Sequence, residues 1–300
     1  MMGYLFLSFS LLAGATKGFC GKKMGNYAKE TVTAVRMNLL RMGFCILFGV
    51  LMMLMMGEIG AFTLSPRVLL LSLLSGVSTA LFVVTWLFAV RKSAYMMLDI
   101  FLTLGTVVPM ITGIFLFGEP VLLRQWLGFG VLVAAAALMC SYNNAIKSRM
   151  TLSGFGLLVL CGLANGVTDL SQKWFVKSAT GVPATVFNLY TYVFAALTLF
   201  LIWFFLFLRA RGKNDGEREG AFPRRVILFV LVMSLMLILS SYFKTLAAGY
   251  LDSARLYPLN QGAALVLSTL MAAVFFGEKP NFKCIAGIVM AFAGLLIMNL

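Results

Sequence analysis

Histidine is absent from the 300 residues, and aspartate and glutamate together number only ten. Imidazole-based catalysis, His-ligated metal centres and acid clusters for metal-bound phosphate therefore have little to draw on. Five cysteines, Cys20, Cys45, Cys140, Cys161 and Cys284, stand singly with no CxxC pair. That spacing argues against zinc ribbons and a disulfide framework and leaves packing as their ordinary role. No GxxxxGK[ST] loop occurs, and no stretch is polar enough to form a separate soluble domain. Direct drive by nucleotide hydrolysis is not expected, and neither a metal nor an organic cofactor is.

What the chain has instead is apolar surface. Hydrophobic residues make up 61% and charged residues 11%, with a mean hydropathy of +0.98. One soluble core cannot hide this much, so lipid must be the solvent for a large part of it. Ten apolar runs follow one another: 2–20, 36–57, 67–90, 94–117, 121–142, 152–172, 184–208, 225–249, 254–276 and 281–299. Runs of about 20 residues cross a hydrocarbon layer of roughly 30 Å as helices. A closed barrel is excluded, because barrel strands alternate apolar and polar residues. The fold class expected is an all-α integral membrane protein of ten transmembrane helices. The first run has no basic start, its first cation being Lys17, so it reads as a retained helix and not a cleaved signal. A formal charge of +14 would suggest nucleic acid in a soluble protein, but here the cations sit between spans and read as topology signals. No nucleic-acid partner is expected.

The two halves align. TAVRMNLLRMGFCILFG (33–49) over PATVFNLYTYVFAALTL (183–199) sets Asn38 on Asn188 at an offset of 150. IFLFGEPVLLRQWLGFGVLVAAAALM (114–139) over VFFGEKPNFKCIAGIVMAFAGLLIMN (274–299) sets Gly118 and Glu119 on Gly277 and Glu278 at an offset of 159. The difference comes from the longer polar connection at 209–225 compared with 57–67. Residues 1–146 and 147–300 thus read as two five-helix repeats forming one transport domain. Five is odd, so the second copy enters the membrane from the opposite side, a construction recurrent in secondary transporters.

These GE-containing segments, the short connections after them and the Gly-rich runs that follow resemble the drug/metabolite transporter superfamily, specifically its ten-helix EamA-type members. LYPLNQGAALVLSTLMAAVFFGEKPNFKCIAGIVMAFAGLLIM (256–298) is the closer match, and LTLGTVVPMITGIFLFGEPVLLRQWLGFGVL (102–132) is also recognisable. The resemblance implies a central cavity formed by runs one to four and six to nine. Runs five and ten would support it from outside. Gly128, Gly130, Gly287 and Gly294 on these two runs suit close helix contacts, in folding or as a homodimer contact. It also implies a multi-pass protein of the cell membrane, in a bacterium the cytoplasmic membrane, with membrane lipid around it. Substrates of such families range from amino acids to organic phosphates, so none follows from the motif.

Lys and Arg are unevenly distributed. The odd-numbered connections and their flanks carry 18, including Lys17, Arg36 and Arg41, and the others carry 6. The positive-inside rule then places both termini outside. The resemblance implies termini inside.

Ionisable groups within runs are the sharpest functional signal, because a charge at a helix centre costs about 2.5 to 3.5 kcal/mol on insertion scales. Asp169 and Lys173 are four apart and can pair on one face, and Asp252 and Arg255, three apart, can do the same. With Lys244 they would form an ionic cluster read as an anion-binding patch or gate, and Lys17 at the close of the first run joins the gating candidates. Against this stands the snorkelling of long cations to the interface. Lys244 is the leading substrate contact, and Asp99 the proton-coupling candidate. Asn38, Asn188, Tyr190, Tyr257, Asn260 and Gln261 are the uncharged cavity candidates, with helix-to-helix bonding as the structural alternative. Pro109 and Pro258 each free a backbone carbonyl, while Glu119 and Glu278, at helix junctions, read as caps. The expected function is secondary transport of a small polar metabolite, anionic and zwitterionic species included, by alternating access. The alternative is an intramembrane lipid-modifying enzyme or a translocator of lipid substrates; the composition speaks against an enzyme.

Overall fold

The computed structural model describes residues 1–25, 27, 31–91, 95–140, 152–211, 222–276 and 282–299. Among these the chain is helical, with no strand: α1 (Met2–Gly25), α2 (Thr31–Met55), α3 (Pro66–Arg91), α4 (Tyr95–Gly105), α5 (Val107–Phe117), α6 (Leu123–Cys140), α7 (Leu152–Ser178), α8 (Ala184–Arg211), α9 (Arg224–Tyr250), α10 (Ser253–Phe276) and α11 (Phe282–Asn299). Each apolar run coincides with a helix, except the fourth, which forms two. Pro109 explains that break: it has no N–H to give the Gly105 carbonyl, and Thr106 turns there with its N–H and Oγ1 both on the Thr103 carbonyl, at 3.1 and 2.7 Å. α5 ends at Gly118, whose left-handed φ of 62° lets its N–H meet the last carbonyls.

Among the described residues six segments are long and apolar enough to cross a membrane: Thr31–Met55, Pro66–Trp86, Ile100–Phe117, Gly154–Ser178, Ala184–Arg209 and Arg224–Tyr250. Two shorter apolar helices are Leu123–Met139 and Ile285–Asn299. Large apolar side chains such as Leu70, Phe115, Phe205, Val274 and Phe292 stand exposed on the outside, as a lipid-facing surface requires.

The packing exchanges across the two halves. α1 lies on α9 as α7 lies on α3, and α2 lies on α9 as α8 lies on α3. α6 and α11 pack on each other antiparallel. Gly128 meets Met298 and the Gly294 carbonyl, while Gly287 meets Met139 and the Ala135 carbonyl. An offset of 159 carries each of these contacts into the other. At α4 and α7 the approach is closer still: a Cβ on Gly105 would collide with the Gly162 carbonyl, and one on Gly162 with the Phe101 carbonyl. Here only glycine lets the backbones meet. The two chain ends lie together, with the Tyr4 hydroxyl donating to Asn299 Oδ1 at 3.2 Å.

Inside, apolar clusters occupy both ends of the bundle. Cys20, Met24, Met37, Val230 and Met233 pack at one end, and Met53, Leu71, Phe175, Phe187 and Leu189 at the other. The level between them holds the polar side chains.

Candidate functional site

The polar level is built where α7 faces α9. Lys244 Nζ lies 2.5 Å from Asp169 Oδ1, with 15% and 3% of the two side chains exposed. Asn165, one turn before Asp169, reaches its other oxygen at 3.5 Å. The Tyr257 hydroxyl donates to the Asp169 carbonyl at 2.7 Å, so α10 fixes the same turn of α7. Asp169 lies nine residues before the end of α7 at Ser178 and not in its last turns, because the helix runs beyond the 152–172 apolar run. Buried Gln172 and Lys173 lower the hydropathy there without ending the helix.

A hydrogen-bond chain continues from this pair onto α8. Gln172 Nε2 donates to Ser241 Oγ at 3.1 Å, Ser241 donates to Asn188 Oδ1 at 2.7 Å, and Asn188 Nδ2 donates to the Ala184 carbonyl at 2.8 Å. Gln172 Oε1 is buried without a partner among the described residues. Asn38 makes the same bond on α2, to the Ala34 carbonyl at 3.1 Å, and lines a cleft with Val35, Val84 and Phe88. Gln172 and Ser241 are not among the uncharged candidates of the sequence, which lie on the second, seventh and ninth runs. Their spacing of three from Asp169 and Lys244 is the signal that identifies them.

Lys17 and Arg41 bring the first half to the same level. α1 continues to Gly25, so Lys17 does not close the helix. It sits in the buried stripe of Ser10, Ala13, Cys20 and Met24, and is itself half-buried. Its electrostatic neighbours are Arg41, Lys244 and Asp169. Arg41 lies ten residues into α2 and is 8% exposed, with no partner for its Nε among the described residues. Its carbonyl accepts the Ser234 hydroxyl of α9 at 3.0 Å. Both cations count as topology signals on spacing alone; inside the bundle they are not flanks. Helix length, beginning at Thr31 and not at 36, is what moves Arg41 inward.

Lys173 turns the other way. It pairs with Glu119 Oε1 at 2.8 Å and donates to the Ala248 and Leu251 carbonyls at 3.0 and 2.6 Å, closing the end of α9. Glu119 Oε2 accepts the Ser253 N–H at 2.7 Å, which caps α10 from 134 residues away. A carboxylate at a helix start and an ammonium at a helix end both complement the helix dipole. Lys177 is more distant from Glu119, at 3.9 Å, and exposed.

Two expected pairs are therefore not formed. Asp169 and Lys173 share a helix, but each finds its partner on another element at shorter range. Asp252 and Arg255 form no ion pair among the described residues; Asp252 instead offers its carbonyl to the Arg255 and Leu256 N–H groups at the start of α10. Tyr190 points away from the cluster, its hydroxyl on the Thr63 carbonyl at 2.8 Å. Asn260 and Gln261 are half-buried one turn beyond Pro258, with no hydrogen-bond partner among the described residues. Asp99 lies on α4, and its side chain is outside the described residues, as is Glu278. No group of three or more His, Cys, Asp or Glu side chains able to hold a metal occurs among the described residues.

Residues 152–300 match the model of the EamA-like transporter family. Among solved structures 28 chains match. One, described only as the crystal structure of a protein, is 15% identical and covers 98% of this chain and 95% of its own, with a TM-score of 0.74. At that identity the likeness is one of fold. No curated protein matches the chain by sequence.

Proposed function

The chain belongs to the EamA-like transporter family, and on that premise we propose that it is a secondary transporter of a small polar metabolite, anionic or zwitterionic, working by alternating access. The family and the apolar helices make it a multi-pass membrane transporter of the drug/metabolite superfamily; its members are transporters and not enzymes. The single observation that carries the finer reading is the Lys244–Asp169 pair at the polar level between two apolar clusters. Hydrophobic residues of similar volume would hold α7 to α9 as well or better. Ionisable groups at such depth mark substrate paths.

In this reading a substrate anion competes with Asp169 for Lys244, while Asn188, Gln172 and Ser241 supply hydrogen bonds. Asn38, Tyr257, Asn260 and Gln261 border the same path, with Asp99 as the proton-coupling residue. The Lys173–Glu119 pair is the gate at the side where the chain ends meet. Residues 1–146 and 147–300 act as inverted five-helix halves of one ten-helix transport domain in the cell membrane, surrounded by lipid, and α6 with α11 offers the surface for a homodimer. The antiparallel, exchanging contact of α6 with α11 supports the inversion. Alternating access follows from two such halves rocking about a shared site.

Uptake by purified protein in liposomes across a metabolite panel, with and without an imposed pH gradient, tests the proposal. Saturable flux of a polar metabolite is expected, and a steeper response under the gradient if Asp99 couples protons. Absence of flux for every class, together with turnover of a lipid substrate, would contradict it.

A further inference from the structure

We propose that the central site takes a dianion, an organic molecule presenting two negative charges, held jointly by Lys17, Arg41 and Lys244. The flux expected of it rests on the transporter reading; the binding does not.

Charge at the polar level is unbalanced. Lys17 of α1 has Arg41 of α2, Lys244 of α9 and Asp169 of α7 as electrostatic neighbours, and among the described residues Asp169 is the acid of that set. Glu119 is absorbed by Lys173 and the start of α10, and Glu58 by the Thr185 hydroxyl on α8. Arg255 lies in the first turn of α10 and is not among the electrostatic neighbours of Lys17. After Asp169 has taken Lys244, Lys17 and Arg41 are left with no ion pair among the described residues. An unpaired cation in a membrane interior is strongly disfavoured, and the apolar clusters at either end keep bulk counterions away.

The geometry of the surplus cations is that of a binding site. Arg41 is more than nine-tenths buried, yet its Nε has no partner among the described residues. Its guanidinium fork matches the paired oxygens of a carboxylate or phosphate. Lys17 stands in the centre of the buried stripe of α1 and is itself half-buried. It has no hydrogen bond or ion pair among the described residues. Gln172, with its own orphaned oxygen, adds a polar flank. A monoanion would neutralise one surplus charge, and a zwitterion would bring a third-party ammonium among three cations. Two negative charges match the surplus.

Dicarboxylates and phosphate monoesters share this chemistry, and the test separates them. Thermal stabilisation of the purified full-length protein is measured against panels of dicarboxylates, phosphate monoesters, monocarboxylates and zwitterionic amino acids. One of the two dianion panels is expected to stabilise most. Arg41→Gln and Lys17→Gln are each expected to weaken that ligand about tenfold or more, without lowering the melting temperature of the ligand-free protein, since each removes a cation that has no ion pair among the described residues. Should Arg41→Gln fail to fold, Lys17→Gln carries the same comparison. Stronger stabilisation by monoanions or zwitterions, no dianion effect, or undiminished dianion binding in the folded variants would overturn the proposal. Dianion binding without flux of any solute would leave the site standing and refute transport. Flux of neutral or zwitterionic solutes without dianion binding would do the reverse.

Discussion

Lys244 on α9 and Asp169 on α7 form a 2.5 Å ion pair in which neither residue is a sequence neighbour of the other. It joins two helices that are each long and apolar enough to cross a membrane. Removing one partner leaves the other charge buried alone. We predict that Lys244→Met destabilises the protein by about 3 to 5 kcal/mol. The double variant Lys244→Met with Asp169→Asn recovers most of that loss. Thermal unfolding of the single and double variants measures the coupling; additive effects would show that the pair contributes nothing.

Glu119 accepts the Ser253 N–H and pairs with Lys173. Glu119→Gln keeps an acceptor for the N–H but gives up the charge. We expect a loss of about 1.5 to 3 kcal/mol, the range for hydrogen bonds to charged groups. Glu119→Ala should cost more, because the α10 start then loses its cap as well. Equal melting temperatures for both variants would rule out the capping role.

At Gly105 and Gly162 the constraint is steric. An added Cβ at either position meets backbone carbonyls, which cannot rotate away as a side chain can. Gly105→Ala and Gly162→Ala are expected to reduce folded protein sharply in size-exclusion profiles. Gly130→Ala, where nothing lies within reach of the new methyl, serves as the control and should leave the profile unchanged.

The two chain ends lie on one side, joined by Tyr4 and Asn299. Lys17 and Arg41 are interior and drop out of the eighteen cations assigned to the odd connections, yet the excess over six persists. Reporters fused to either end are therefore predicted to give the same answer, outside the cytoplasm. A C-terminal reporter active only in the cytoplasm that lights up would reverse the orientation.

The helices were legible because lipid imposes long apolar runs, and every run but the fourth, which Pro109 divides, coincides with one helix. Their ends were not. Polar residues that are buried against other helices, such as Gln172 and Lys173, lower hydropathy in the same way as a true helix end. That is why Lys17 and Arg41 read as flanking cations. Lys244 and Asp169 stood out as ionisable residues in apolar surroundings, but their pairing depends on which faces meet across 75 residues of chain. Short-range spacing instead favoured Asp169 with Lys173. Glu119 read as a cap from its place at a junction; that it caps α10 rather than its own neighbour is a matter of tertiary contact.

Flux in liposomes, compared between the natural protein and the folded double variant of Lys244→Met with Asp169→Asn, decides whether the polar level is part of the path. Saturable uptake of a polar metabolite by the natural protein is expected, with its loss in a variant that remains folded. Equal flux through both would contradict it, since the polar level would then be part of the scaffold and not of the path.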